Sequence, residues 1–229
     1  MRILPAAVAT GLALLTIAPV ANGMESLTPD ELERLEQAAT TSVSNALEEL
    51  LAVLSDDSSR AANRLGAVEQ IVRQRLDYAK FSRFALARYK SQFSEEQLDL
   101  YECEFDAYLS NYLGSRLIRY HQEQIDVFRA TALPNRDVVL STRISGGKYD
   151  QAVVAFLMRE SNPEIDEWRA IDVSFEGTRV RKLLRAQFQS VLQQGGPDHL
   201  IALLQEKTPG PSLCARSDGS EMDAPDPLD

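Results

Sequence analysis

The chain has 229 residues, of which 44% are hydrophobic, 25% charged and 7% aromatic. Such a composition excludes full-length disorder, a collagen-like repeat and a disulfide scaffold, and the length suits one domain with appendages. Thirty-four acidic residues against 24 basic ones give a net charge of -10, with no cationic excess to neutralise a phosphate backbone, so nucleic acid is not an expected partner.

The N-terminus carries a positive start at Met1-Arg2, an uncharged stretch from Ile3 to Val20, and small residues at Ala21-Asn22-Gly23. This pattern predicts an export signal over residues 1–23, cleaved after Gly23. A retained N-terminal anchor is the competing reading, because the stretch is nearly long enough to span a bilayer. Export places Cys103 and Cys214 where a disulfide is permitted. Whether they pair stays open, as does the alternative of two free thiols. With only His121 and His199 beside them, no metal site or cofactor is expected.

The first helix is predicted from Thr28, an N-cap followed by Pro29 and two acids. Leu32, Leu35, Ala39, Val43, Leu47, Leu50 and Leu54 give its apolar stripe. Ser55 to Ser59 breaks it. A second helix carries Leu65, Val68, Ile71, Val72 and Leu76, and Asp77 caps a third with Tyr78, Phe81, Phe84, Ala85 and Tyr89. Ser94-Glu95-Glu96-Gln97 is a capping box for a long fourth helix. Its stripe is Leu98, Tyr101, Phe105, Tyr108, Leu109, Tyr112 and Leu113, with Cys103 off it and His121 near its end.

Beyond this helix the period falls to two. Strands are predicted over 124–129, 137–144, 149–160 and 167–175, with short connections that imply an antiparallel meander. A helix bearing Val180, Leu184, Phe188 and Leu192 follows, stopped by Gly195-Gly196, and Pro197-Asp198 opens a short last helix containing His199. Residues 217–229 hold five acids and no base, so 209–229 is an expected disordered acidic tail. The class is α+β, an antiparallel sheet of about four strands covered by N-terminal and C-terminal helices.

One strand breaks the usual alternation. Ala152, Val154, Phe156 and Met158 lie on one side of it, and Val153, Ala155 and Leu157 on the other. Two apolar faces suit either ordinary packing between layers or a wall of a ligand cavity. The aromatic helix stripe is equally open, core on one reading and cavity roof on the other. Arg83, Arg88 and Lys90 form one basic cluster, and Arg179, Arg181, Lys182 and Arg185 another. Each is either a solvated face or a basic rim for phosphate or an acidic partner. Asp172, near Trp168, suits a cap for the next turn or a general acid.

Several segments in order resemble the MlaC-type periplasmic phospholipid-binding family, also called toluene-tolerance proteins. Leu76-Asp77-Tyr78-Ala79-Lys80-Phe81-Ser82 resembles its Asp-Phe motif, and Phe84-Ala85-Leu86-Ala87-Arg88-Tyr89 its Leu-Gly-Arg-Tyr-Trp segment, with Ala87 where glycine is favoured. Ser94 to Gln97 is similar to the Ser-x-x-Gln opening of its aromatic helix. Trp168 to Val173 is similar to Trp-x-x-x-Asp-Val, Glu176-Gly177 to the turn after it, and Arg185-Ala186-Gln187-Phe188 to Arg-x-Gln-Phe. Gly196-Pro197-Asp198 with Leu200-Ile201 resembles the Gly-x-Asp-x-Leu-Ile ending. Thr178-Arg179 departs from the pattern, which has an apolar residue and then serine.

The resemblance implies a cone-like fold related to nuclear-transport-factor-two and cystatin architectures, spanning residues 24–208. It implies no enzyme but a periplasmic carrier holding phospholipid tails in an apolar cavity. The implied partners are an outer-membrane lipoprotein–porin complex and an inner-membrane ABC-transporter complex with its substrate-binding ring subunit, with only transient membrane proximity. Its route moves mislocalised phospholipid and maintains outer-membrane lipid asymmetry. Alternatives are a carrier of hopanoid or other polycyclic lipid and a cavity enzyme using Asp172. On the helices, Phe81, Phe84, Tyr101, Phe105, Tyr108, Tyr112, Leu184 and Phe188 are the expected cavity residues. On the strands they are Val153, Ala155, Leu157, Ile171, Val173 and Phe175. Arg83, Arg88, Arg179 and Arg185 are the expected head-group or docking residues.

Overall fold

A computed structural model describes residues 27–56, 60–119, 123–210 and 214. The expected export signal, His121 and nearly all of the expected tail lie outside the described residues.

Four helices precede the sheet. α1 (Pro29–Leu54) starts where Thr28 Oγ1 accepts from the Glu31 N–H and the Glu31 carboxylate accepts from the Thr28 N–H, so two otherwise orphaned donors are satisfied. α2 (Ala61–Arg75) turns into α3 (Tyr78–Leu86), which Asp77 caps by accepting from the Lys80 N–H at 3.0 Å. A 3₁₀ segment, Ala87–Gln92, then leads to α4 (Glu95–Leu117), opened by the Ser94–Gln97 capping box.

The sheet follows as β1 (Gln124–Ala132), β2 (Val138–Ser145), β3 (Val153–Asn162), β4 (Glu167–Phe175) and β5 (Thr178–Arg179). The strands are antiparallel and adjacent in chain order. α5 (Val180–Lys207) completes the chain, broken at Gly196, whose φ of 70° and ψ of -166° only glycine adopts without strain. Pro197 then restarts it.

Three strand expectations are corrected. β1 continues past Arg129 because a bulge between Val127 and Arg129 leaves Phe128 unpaired and interrupts the period of two. β3 begins at Val153 rather than Tyr149, since Gly147–Tyr149 forms a 3₁₀ turn. The sheet has five strands rather than about four, because two-residue β5 is too short to show any period.

α1 packs along β1 and β2, where the Glu36 carboxylate accepts from the Ala132 N–H at 2.9 Å. The α2–α3 corner joins the outer edge of β4 through the Asp77 N–H, which donates to the Ala170 carbonyl at 3.0 Å. α4 packs on α2, α3 and α5. Its Gly114 lets α2 approach, since a Cβ there would lie 2.9 Å from Glu69 Cγ. The pairing that sequence leaves open is formed: Cys103 on α4 bonds Cys214, 111 residues away.

Candidate functional site

Residues directly opposed in an antiparallel pair share a face. The register therefore places Leu140, Phe156 and Val173 on one face of the sheet, and Val139, Leu157 and Asp172 on the other. On the first face Val138, Leu140, Met158 and Ala170 are buried in the core that α1 covers. Burial fades toward the end of β4. Phe156 and Val173 are half-buried, and Phe175 is 41% exposed with its ring 5.7 Å from that of Tyr149.

The second face has a different character. Val139, Val153, Ala155 and Leu157 are all half-buried and lie outside the hydrophobic core of the described residues. A row of small and polar side chains, Ser141, Ala155, Ser174 and Arg179, crosses four strands beside them. At its β4 edge this face carries charge. Asp172 is 2% exposed, and its Oδ2 accepts from Arg179 Nε at 2.6 Å. Its Oδ1 accepts from the N–H groups of Val173 at 3.0 Å and Arg181 at 3.3 Å, so it caps the first turn of α5 from the strand. Arg181 Nε lies 3.3 Å from Oδ2, but its N–H is not aligned on that oxygen and has no hydrogen-bond acceptor. The Arg181 guanidinium sits 4.6 Å from the centre of the Phe84 ring, and that of Arg185 sits 5.5 Å from the same ring. Both oxygens of Asp172 are thus engaged by cationic or backbone donors, the arrangement of a cap and counter-ion rather than of a proton-exchanging acid.

The expected cavity residues fall into separate groups. Phe81, Tyr101, Phe105, Leu184 and Phe188 are buried in the core of α3, α4 and α5, with Tyr101, Phe105 and Phe188 in ring contact at 5.7–6.3 Å. Burial pushes the Tyr101 hydroxyl pKa well above its usual value, and does the same to Tyr78 beside Ser110. Tyr108 and Tyr112 are half-buried, with their rings 5.9 Å apart and Arg116 stacked on Tyr112. Val153, Ala155 and Leu157 stand together on the second face, whereas Val173 and Phe175 belong to the first. Ile171, buried, occupies the bulge where β4 shifts register against β3. That bulge, invisible in a run of alternating residues, keeps the two groups apart.

Among the expected head-group residues, Arg179 is bonded to Asp172 and Arg185 faces the Phe84 ring, as above. Arg88 is exposed and donates to the Tyr89 hydroxyl at 3.3 Å, which, with a second bond from Gln193, lowers the Tyr89 pKa. Arg83 is exposed in the last turn of α3, where a cation suits the helix dipole. Val139, not expected as a site residue, and Arg181, expected only as a member of the basic cluster after the sheet, join the second-face group. The cluster of cations after the sheet was the available signal for Arg181, and nothing local distinguishes Val139. His199 is exposed. Among the described residues there is no grouping of His, Cys, Asp or Glu that could hold a metal, and no helix long and apolar enough to cross a membrane. Among the described residues, hollows on the helices include one of about 330 Å³ between α1 and α2 and one of about 250 Å³ where α2, α4 and α5 meet Cys214. Neither borders the sheet.

Residues 44–206 match the family model described as MlaC protein. The chain is 23% identical over 111 residues to the toluene tolerance protein Ttg2D of Pseudomonas putida, and spans about half the length of that relative, 50% of it against 48% of this chain. It also resembles the solved structure of a phospholipid-binding protein from Ralstonia solanacearum, determined in complex with a phospholipid. The TM-score is 0.63 at 22% identity, over 74% of this chain and 96% of the other. At that identity the likeness speaks for the fold.

Proposed function

The chain belongs to the MlaC family, and from that premise we propose that it binds phospholipid by its acyl chains and carries it through the periplasm. The observation that carries the proposal is the match over residues 44–206, joined to a fold shared with a phospholipid-bound protein. A two-tailed lipid exposes on the order of 30 methylenes, and at about 0.8 kcal/mol each their hydration opposes transfer through water by roughly 25 kcal/mol. A carrier removes that barrier by offering apolar surface of nearly bilayer character. The half-buried Val139, Val153, Ala155 and Leu157, outside the packed core, are the surface assigned to the tails, with Phe84 and Ile171 at its β4 edge. Phe156, Val173 and Phe175 on the other face form a second apolar margin.

Carriage between an inner-membrane ABC-transporter complex and an outer-membrane lipoprotein–porin complex, in service of outer-membrane lipid asymmetry, is the role proposed for the loaded protein. No catalytic step is assigned. Asp172 serves as cap and counter-ion, which disfavours the isomerase-like alternative. Native mass spectrometry with solvent extraction of protein purified from the periplasm tests the proposal. Stoichiometric phospholipid is expected. A polycyclic lipid would redirect the assignment, and protein that is consistently empty would overturn it.

A further inference from the structure

We infer that Arg181 and Arg185, stacked on Phe84 at the start of α5, form a clamp for a phosphate ester. The inference rests on the carrier reading and gives it a polar end. Arg179 and Arg181 bring two guanidinium groups to one carboxylate, Asp172, and Arg185 adds a third cation on the Phe84 ring that Arg181 also faces, in a chain whose net charge is -10. Arg179 takes the well-aligned bond to that carboxylate at 2.6 Å. Arg181 shares that carboxylate as an ion pair, its Nε 3.3 Å from Oδ2 without an aligned hydrogen bond, and the Arg185 guanidinium lies 5.5 Å from the centre of the Phe84 ring.

The placement opposes the ordinary rule for helices. The N-terminal end of a helix is positive and favours acids, as the first turns of α1 and α4 illustrate with Asp30 and Glu31, and with Glu95 and Glu96. The first turn of α5 has no acid and carries Arg181 and Lys182 instead. Two guanidiniums drawn to one aromatic ring repel each other, and stacking on the ring holds their planes in place. An anion set between them would relieve that repulsion, and exposed Arg185 has guanidinium donors free to reach it. Phosphate matches the planar, forked donors of arginine.

The neighbourhood selects an ester of an apolar alcohol. Asp172 lies directly opposite Leu157, and Ser174 opposite Ala155, so the cluster borders the half-buried apolar surface of β3. A headgroup phosphate at the clamp would leave its acyl chains on that surface. A free phosphate ion shares the polar chemistry but not the apolar contact.

Binding of three probes to the full chain separates these cases: dihexanoyl phosphatidic acid below its micelle concentration, dihexanoylglycerol, and inorganic phosphate. Calorimetry of the natural protein and of the R181Q/R185Q and R185Q variants supplies the readout, with melting curves to confirm folding. The double variant is expected to bind dihexanoyl phosphatidic acid about tenfold or more weakly while binding dihexanoylglycerol unchanged, as loss of charge-assisted hydrogen bonds predicts. Exposed Arg185, replaced alone, should weaken phosphatidic acid binding in the same direction and keeps the test available if the double variant does not fold. Equal affinity of natural and variant protein for phosphatidic acid would overturn the clamp and leave the carrier reading standing. Failure of the natural protein to take up either lipid would overturn both. Inorganic phosphate binding as tightly as phosphatidic acid, with the same dependence on Arg185, would reassign the clamp to the free ion.

Discussion

Ala87 ends α3 with φ 47° and ψ -122°, a region in which any side chain beyond hydrogen is strained. The family pattern favours glycine here, and the chain keeps the backbone turn while carrying a methyl group. What enforces the turn is its surroundings: Leu86 and Tyr89 are buried on either side of it, and Tyr89 accepts a hydrogen bond from Gln193 of α5. The strain is worth about 1–3 kcal/mol, against roughly 0.5–1 kcal/mol for the extra freedom glycine loses on folding. Ala87→Gly should therefore raise stability by about 1 kcal/mol and the melting temperature by about 2–4 °C. Circular dichroism checks this, and a lowered melting temperature would contradict it. The departure at Ala87 is visible in the sequence, whereas its consequence needs the dihedral angle. Arg179 is a second departure, standing where serine is expected, and its bond to Asp172 depends on β5 pairing with β4, which no local pattern announces.

At the scale of elements, helices are the legible part of this chain because their signals are local. Thr28, Asp77 and Ser94 each cap a helix within three residues of themselves, and each is recognisable from spacing alone. Sheet faces are less legible because one inserted residue exchanges them. The bulges at Phe128 and Ile171 do so, and Ile171 is why Val173 and Phe175 do not join Leu157 and Ala155. The aromatic stripe of α4 poses a different ambiguity, since a 3.6-residue period marks a buried face without showing what covers it. In this protein Tyr101 and Phe105 are covered by Phe93 and by Phe188 of α5. Core and tail-binding surface are thus distinguishable by substitution. Phe105→Ala should cost about 3–5 kcal/mol of stability without lowering the lipid carried per folded molecule. Leu157→Asn, at a half-buried position outside the core, should cost about 1 kcal/mol and markedly lower that lipid content. Urea melts paired with lipid extraction distinguish the two, and the reverse pattern would remove the second face from the site.

The whole molecule is closed by a single covalent link. Cys103–Cys214 spans 111 residues, so the oxidised unfolded chain must keep nearly half its length in one loop. Loop-closure entropy for about 100 residues is worth up to about 4.7 kcal/mol on the chain-entropy account. The native state recovers part of this on reduction, because the chain is already held at Leu204 and by the Gln205 amide, which donates to the buried Glu104 carboxylate at 2.9 Å. The net loss is therefore expected at roughly 2–4 kcal/mol, or about 5–15 °C in melting temperature for a domain of this size. Paired thermal melts with and without reductant measure it, and the C103S/C214S variant should reproduce the reduced value without added thiol. Sequence allows this pairing but does not establish it, since neither the orientation of Cys103 on α4 nor the path of the chain after α5 is local information. The link joins α4 to the chain after α5, and α4 packs on other helices, so the bond itself lies away from the second face of the sheet. Reduced protein that remains folded should consequently carry as much lipid as the oxidised form. An unchanged melting temperature would mean that the cysteines are not joined in the working protein, and a parallel loss of lipid would mean that the helical layer and the tail-binding surface open together.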